Sequence, residues 1–522
     1  MPRAPDPVES PEPQAKEAGH SGDARREVAR GVFLSGLSRL GAVIEVVSQP
    51  LLIWLFGIAT YGLYASLWAG IVLLSTVADL GMTSALQRLV PQLEPEPAQQ
   101  AVKLALGVGV GAAVAIALVI SLEAERIAPF LSAAAADRAE LPVALALFAW
   151  ALPLWMFIEI ATAAARARRA FGPEIRLRIL WEQVARMVFA IGLAAAGVGT
   201  LGLMIAHLAS LAFTALLCLP LLSRFYDLRG LARARIGWPL LRTLLATGGA
   251  LLASNVTRRL LIHGPALSLN LLLPGAGGAK AAGLFEVARR ISTVPYLVRQ
   301  SFEYVLAPLA AAGAKERPGV VNSLYHFATN VTAALVLPLA ALLIFAARDV
   351  LSVYRPEVIA ALPILVILVV GRALEALTGP AQTVVEMTGS RALPLLNSLV
   401  ALTAWGAVAA WLVPDRGSMG MAVAVAGATA LAGLCAVLEL LLGGARPGPA
   451  AITFPAGFVL RGALLSSIGA ATMALAAFVL PGPLRVASLV LLWAGTSWLA
   501  LRAGLSREDK AALGRLSLRL RL

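Results

Sequence analysis

Fourteen stretches of mostly apolar residues, each near the length of about 20 that an α-helix needs to cross a bilayer, constrain this chain more than any motif does. They fall at about residues 31–56, 60–83, 101–121, 141–163, 176–198, 200–222, 242–273, 281–311, 320–347, 358–378, 393–413, 417–442, 457–480 and 484–503. In hydrocarbon each backbone N–H and C=O must be satisfied within the protein, so stretches of this kind become helices. With 59% hydrophobic and 14% charged residues, the 522-residue chain has too little polar surface for a soluble fold of its size. The expected class is an all-α polytopic membrane protein of about 14 transmembrane helices. Some stretches exceed the bilayer, so tilt or extension beyond it is expected.

Charge sets the expected orientation. If the N-terminus is cytosolic and the spans alternate, the outer segments hold seven basic residues: Arg126, Arg138, Lys280, Arg348, Arg355, Arg416 and Arg485. Eight lie within spans, and the other 28 of the 43 fall on the inner side. This is a strong positive-inside bias, and it favours an even span count with both termini cytosolic. The net charge of +14 is then mostly a property of the cytosolic face, and no nucleic-acid partner is needed to explain it. Residues 1–29, rich in Pro, Glu, Ala and Arg, read as a disordered cytosolic tail without the apolar core of a signal peptide. The basic tail, residues 504–522, either lies on the anionic inner leaflet or is simply solvated.

Cys218 and Cys435 sit in apolar runs and read as small buried hydrophobes. The four histidines lack metal-ligand spacing, and no GxxxxGK[ST] phosphate loop is present. No metal or cofactor is expected. Transport, if that is the function, would draw on a Na⁺ or H⁺ gradient or on a partner.

The two halves echo each other. Gly62-Leu63-Tyr64 opens the second span and Gly283-Leu284-Phe285 the eighth, 221 residues on. Gly172 and Gly389, after spans four and ten, stand 217 apart. A nearly constant offset predicts two six-helix lobes, residues 30–222 and 242–442, joined by a cytosolic linker at 223–241 and followed by spans thirteen and fourteen at 457–503. In repeats of this kind the substrate lies between the halves.

An arginine at the centre of a membrane helix costs roughly 2.5–3.5 kcal/mol on insertion scales, so those present should face protein or water. Within the spans lie Arg39, Arg186, Arg258, Arg259, Arg289, Arg290, Arg299 and Arg372. Glu182–Arg186, Glu286–Arg290 and Arg299–Glu303 are spaced i,i+4, and Arg372–Glu375 i,i+3, so these pairs can neutralise each other on one helix face. For them a structural role and a functional one are equally open. Arg39, Arg258, Arg259 and Arg289 show no such partner and are the better ligand candidates, against interhelical bridges to Glu45, Asp79, Glu159 or Glu439. The eighth span carries one polar stripe of Arg289, Ser292, Thr293, Tyr296, Arg299, Gln300 and Glu303. The first carries Ser35, Arg39, Glu45 and Gln49, the second Trp68, Ser75 and Asp79, and the seventh Ser254, Asn255, Arg258, Arg259 and His263. Four such helices are expected to share one cationic lumen. Guanidinium groups match phosphate oxygens with a planar fork and stay charged at any working pH. Pro50, Pro153, Pro265, Pro295 and Pro338 are expected bend points.

The fourteen-span layout, the doubled "GLY"/"GLF", "ADLGMTSALQRLV" at 78–90 and "LFEVARRISTVPYLVRQSFEYVLAP" resemble polysaccharide transporters, among them O-antigen flippases. These belong to the multidrug/oligosaccharidyl-lipid/polysaccharide superfamily. The pattern covers spans one to twelve. The resemblance implies two lobes in a V around a cavity that opens alternately to each side. It also implies transfer of an undecaprenyl-pyrophosphate-linked oligosaccharide from the inner to the outer leaflet of the bacterial cytoplasmic membrane. Related lipid II flippases use basic residues on spans one, two and eight, and Arg39, Arg289 and Arg290 stand at comparable places. Spans thirteen and fourteen form a lipid-tail groove in that relative.

On this reading Arg39, Arg258, Arg259, Arg289, Arg290 and Arg299 bind pyrophosphate, while Trp68, Asn255, Tyr296 and Gln300 bond to or stack on sugars. Glu45, Asp79, Glu286 and Glu303 carry the coupling ion or balance the arginines. Partners would be membrane lipids and the polymerase and glycosyltransferases of the same glycan. Two other classes compete: a multidrug exporter of the same superfamily, which would need an acidic cavity, and a polytopic glycan ligase or glycosyltransferase. The longest outer loop, residues 122–140, shows no nucleophile–base pair or metal motif for such an enzyme. A structural scaffold would have no use for unpaired arginines on stripes.

Overall fold

The computed structural model describes residues 40–521 apart from 169, 171–174, 234–236, 317, 389–391, 443–451 and 514, and gives only the backbone for 40–47. Arg39, Gly172 and Gly389 therefore lie outside the described residues, as does the side chain of Glu45. The described residues form helices and no strand.

Helix occupies the described part of each of the fourteen predicted stretches. In the first lobe these are α1 (Leu40–Phe56), α2 (Ile58–Asp79), α3 (Pro95–Leu122), α4 (Leu141–Ala167), α5 (Ile175–Ala195) and α6 (Thr200–Ser223). The second lobe has α7 (Trp238–Leu272), α8 (Gly275–Ile291, continued as Thr293–Glu316), α9 (Pro318–Phe345) and α10 (Leu362–Thr378). It is completed by α11 and α12, the two arms of Ala392–Leu441 on either side of a corner at Gly417. Two further helices are α13 (Ala456–Val479) and α14 (Gly482–Gly504). Among the described helices, α1, α5, α7 and α8 fall short of the length or uniform hydropathy of a simple membrane span. Three of these, α5, α7 and α8, carry intramembrane arginines, whose cost is met by protein packed around them rather than by lipid.

The predicted bend points divide into two kinds. Pro153 and Pro295 each stand at the third position of a new helical segment, where a missing N–H costs no helical bond. Pro50, Pro265 and Pro338 lie within helices.

The lobes meet where α2 lies along α7 and α8. Glycine permits the close approach. A Cβ on Gly62 would overlap the Ala279 carbonyl, and one on Gly283 would stand 3.2 Å from the Cα of Gly62. These are the two glycines that the internal repeat equates, now face to face across the lobe boundary. At the other end of α2 the chain turns through Leu80 and Gly81, both with positive φ, into the short helix Met82–Leu89. There the Gly81 backbone rests on that of Gly248 in α7, again with no room for a Cβ on either. The second lobe closes through α9 on α10 and α10 on α12, and α13 and α14 pack on each other and on α9.

Loop contacts agree with alternating spans. At one end, here the upper, Thr60 and Thr200 both donate to Asp137. Asn270 clasps the Ser132 backbone, donating to its carbonyl at 2.8 Å and accepting from its N–H at 3.0 Å. Also at this end, the Trp54 indole donates to the Val353 carbonyl at 2.9 Å, and Arg485 pairs with Asp349. At the lower end Thr453 joins Asn322 and His326. Each contact links loops that alternation puts on one side.

Candidate substrate cavity

Two cavities lie next to each other, and Arg258 and Ile262 of α7 line both. The larger, about 370 Å³, is enclosed within the second lobe by α7, α8, α10, α11 and α12. Arg258, Arg289, Arg299 and Arg372 face it, with Glu375 and Glu386 as the carboxylates. The smaller, about 290 Å³, lies between the lobes, with Asp79 and Thr83 from the α2 end, Glu159 from α4, and Asn255, Arg258, Arg259 and His263 from α7.

The eighth-span stripe forms one wall. Arg289, Thr293, Tyr296, Arg299 and Gln300 all line the larger cavity, because i, i+4, i+7 and i+10/11 repeat along one helix face. Tyr296 sits between two guanidinium groups, with Arg372 at 4.8 Å and Arg299 at 5.6 Å from its ring centre. Arg299 bonds Glu303 at 2.8 Å and lies 3.6 Å from Glu375, which Arg372 meets at 2.6 Å. The expected pairs on α5, α8 and α10 therefore all form, Glu182–Arg186 included.

Other expectations need correction. Arg289 is not unpaired: its guanidinium forks onto both oxygens of Glu286 at 2.7 Å. The same carboxylate takes Arg290 at 2.7 Å. Glu286 lies three residues before one arginine and four before the other, so a single acid serves both. Arg259 crosses to Glu159 of the first lobe at 3.1 Å. Arg258 donates only to the Asn255 amide, at 3.0 Å, and no carboxylate lies within ion-pair distance of it among the described residues. Arg290 lines neither of the two cavities.

Trp68 is also misplaced by the stripe reading. It packs edge-on to Trp155 at 4.9 Å and against His207 at 4.3 Å, inside the first lobe and away from both cavities. The Asp79 end of the α2 stripe meets the smaller cavity, whereas Trp68 faces Trp155 of α4 and His207 of α6, where aromatic packing claims the indole. The stripe helices α2, α7 and α8 do not share one lumen: α2 reaches only the smaller cavity, and the larger is completed by α10, α11 and α12. Among the acids proposed for coupling, Asp79 accepts from both the N–H and the hydroxyl of Thr83. Glu286 and Glu303 are taken by arginines. Glu386, Gln382, Asn397 and Ser398 line the larger cavity without having been singled out. Their sequence signal was the polar content near spans ten and eleven. On the short helix Ala381–Thr388, burial raises the pKa of the Glu386 carboxyl; Arg258 pulls it back down and Glu303 adds to the rise.

Residues 51–354, more than half of the chain, match the family described as Polysaccharide biosynthesis protein. The chain belongs to that family. Solved structures with the same fold include the lipid II flippase MurJ in an inward closed conformation, 12% identical, aligned over 91% of this chain and 99% of that one at a TM-score of 0.68. An inward-facing multidrug resistance transporter of the superfamily matches at 17% identity, 80% and 93% coverage and a TM-score of 0.61. A superfamily transporter from Pyrococcus furiosus, for which a binding pocket of reverse polarity is described, matches at 16% identity, 82% and 94% coverage and a TM-score of 0.54. None of the curated proteins matches the chain in sequence. For this polysaccharide biosynthesis family member the expected architecture therefore holds: a multi-pass, all-α bundle with the two-lobed fold of the superfamily.

Proposed function

We propose that the protein is a flippase for an undecaprenyl-pyrophosphate-linked oligosaccharide, moving it from the inner to the outer leaflet of the bacterial cytoplasmic membrane. The observation that carries this reading is Arg258. It stands where two cavities meet, solvent-exposed, donating to the Asn255 amide with no carboxylate within ion-pair distance among the described residues. A guanidinium left in that condition favours an anion, and a pyrophosphate offers it a bidentate partner. Arg289, Arg299 and Arg372 add field around the same space, although their own carboxylates already hold them. Tyr296, Gln300, Asn397 and Ser398 supply the stacking surface and hydrogen-bonding groups that sugars need.

In this reading the upper end faces outward and both termini are cytosolic, as the charge bias favours. The glycan's prenyl tail stays in lipid while the head group enters between the lobes. Rocking about the glycine contacts then exposes the cavities to the other side. Membrane potential acting on charged groups contributes about 2.3 kcal/mol per charge per 100 mV. The polymerase and glycosyltransferases of the same glycan would meet the basic lower face.

The test is flipping in proteoliposomes with a fluorescent undecaprenyl-pyrophosphate glycan in one leaflet. Wild type should move it, and folded Arg258→Ala should not. Equal flipping by the variant would remove Arg258 from the site. No movement by wild type under an imposed gradient would sink the cargo assignment.

A further inference from the structure

A cavity of opposite chemistry lies in the upper half of the first lobe. Its volume is about 500 Å³, and its walls come from α2, α3 and α4, with Leu267 of α7 and Ile127 and Leu131 of the upper loop. The wall is almost wholly carbon. Ser66 is the one polar side chain in it, and that hydroxyl is spent on the Gly62 carbonyl at 2.8 Å and the Ala266 carbonyl at 3.3 Å. A buried water needs about two to four polar partners, so this space is unsuited to water. It is large enough for a hydrocarbon guest, since an apolar cavity of about 150 Å³ already takes up benzene. Val119, 59% exposed among the apolar residues of α3, stands at its rim, so the cavity opens toward lipid. Gly70 of α2 widens it: a Cβ there would meet nothing within 4 Å, unlike one on Gly62 at the lobe contact.

We propose that this pocket holds a segment of the prenyl tail of a polyprenyl-linked substrate. The inference rests on the flippase reading and deepens it. Along α7 the apolar pocket begins one helical turn above the smaller polar cavity: His263 lines one and Leu267 the other. Leu267 stands nine residues above Arg258, about 14 Å along the helix. A head group held at Arg258 thus has a carbon-lined space above it, on the side toward which the tail of an inner-leaflet lipid points.

Chain length favours the prenyl tail over an ordinary acyl chain. The hydrocarbon core is about 30 Å thick, so a phospholipid chain spans about half of it and ends near the midplane. An undecaprenyl chain is longer than one leaflet, and from the inner side it continues into the outer half, where this pocket lies. Moving hydrocarbon from lipid into the pocket gains nothing from the hydrophobic effect, because lipid is equally apolar. The gain is the dispersion contact that an empty space denies to its walls. The pocket is separate from α13 and α14, where the family resemblance alone would put the tail.

The experiment is photolabelling of the full-length protein in lipid nanodiscs with two probes. One is a polyprenyl phosphate with a diazirine along its chain, the other a phosphatidylcholine with a diazirine on an acyl chain. Mass spectrometry of the cross-linked peptides gives the sites. The prenyl probe should label residues 66–74 and 115–120, unlabelled undecaprenyl phosphate should compete, and the phosphatidylcholine probe should leave these residues unlabelled. Gly70→Phe puts a ring into the pocket and should lose the labelling while melting at or above the wild-type Tm, because filling a void adds contacts. Gly107→Phe, exposed on α3 away from the pocket and equally open at its Cβ, should keep it. If Gly70→Phe does not fold, Ala115→Trp blocks the pocket from the α3 rim and should lose the labelling instead. Absent labelling of wild type overturns the pocket, as does full labelling of a folded blocked variant. Equal labelling by the phosphatidylcholine probe overturns the prenyl assignment. Glycan flipping without prenyl labelling sinks this pocket alone, whereas labelling without flipping sinks the cargo reading and leaves the pocket standing.

Discussion

The first-lobe interior and the second-lobe cavity both hold arginine–glutamate pairs within membrane helices, yet they differ in what surrounds the pair. In the first lobe Arg186 meets Glu182 at 2.5 Å and donates to the Tyr64 hydroxyl at 3.2 Å. Tyr64 in turn meets His207, which is fully enclosed, and Phe148 and Trp68 pack around the imidazole. In the second lobe Arg299, Glu375 and Arg372 border open volume, and Arg258 beside them has no carboxylate within ion-pair distance among the described residues. An arginine in a membrane is therefore no sign of a ligand by itself. What matters is whether neighbouring groups consume its hydrogen bonds and whether a ligand can reach it.

The contrast predicts opposite consequences for arginine removal. Arg186→Ala leaves the Glu182 carboxylate buried without its cation, a loss of about 3–5 kcal/mol. The expected outcome is poor folded yield and a large drop in Tm, seen by size-exclusion chromatography and thermal unfolding. Changing the pair together, Glu182→Gln with Arg186→Met, should recover much of that stability. If Arg186→Ala folds normally and instead abolishes transport, the two regions are not different in kind.

Arg258→Ala should behave in the reverse way. Its side chain is exposed, so stability should change by less than about 0.5 kcal/mol. Affinity for inorganic pyrophosphate should fall roughly tenfold to a hundredfold, the worth of one charge-assisted bond. Isothermal titration in detergent measures the second effect, thermal unfolding the first. Arg289→Ala, whose guanidinium is already forked onto Glu286, should lose less affinity and more stability than Arg258→Ala.

A smaller effect is expected at the upper closure. Arg355→Ala removes one bond to the Trp54 carbonyl and a ring contact at 6.0 Å, while Tyr354 still donates to Gln49 at 3.3 Å. A loss of about 1–2 kcal/mol changes a two-state ratio by roughly 5–30-fold. Spin labels placed on the upper ends of α1 and α9 should report a longer-distance population in the variant. An unchanged distance distribution would remove the latch from the closure.

Much of this architecture was legible in the sequence, because the bilayer imposes a length and a hydropathy that a reader can count. The helical stretches follow from run length and hydropathy, and the i,i+4 pairs from helical periodicity. The repeat was readable from Gly62 and Gly283, but their meeting across the lobes is a tertiary fact. Partner assignment failed where one residue served two others. Glu286 was matched to Arg290 and so seemed unavailable to Arg289, and Glu159 sits 100 positions from Arg259. Trp68 failed for a different reason: a stripe shows which residues share a face, not which neighbour that face meets. The burial of Asp137 was not legible because an acid in a short loop is ordinarily solvated, and only packing against the starts of α2 and α6 buries it.

The finest test of the comparison is pH. Burial raises the Glu386 carboxyl pKa, partly offset by Arg258. A raised carboxyl pKa means that the protonated form is favoured by folding. Its stabilising contribution is complete below the ordinary glutamate range and is lost as pH rises through the raised value. Protonation also removes one negative charge from a cavity built around Arg258. Pyrophosphate affinity should therefore increase modestly as pH falls through that window, after correction for protonation of pyrophosphate itself. Glu386→Gln should hold the higher affinity at all pH values and flatten the profile, while the paired change Glu182→Gln with Arg186→Met should leave its shape unchanged. An identical pH profile in Glu386→Gln and wild type would show that the cavity's anion affinity does not respond to this carboxylate.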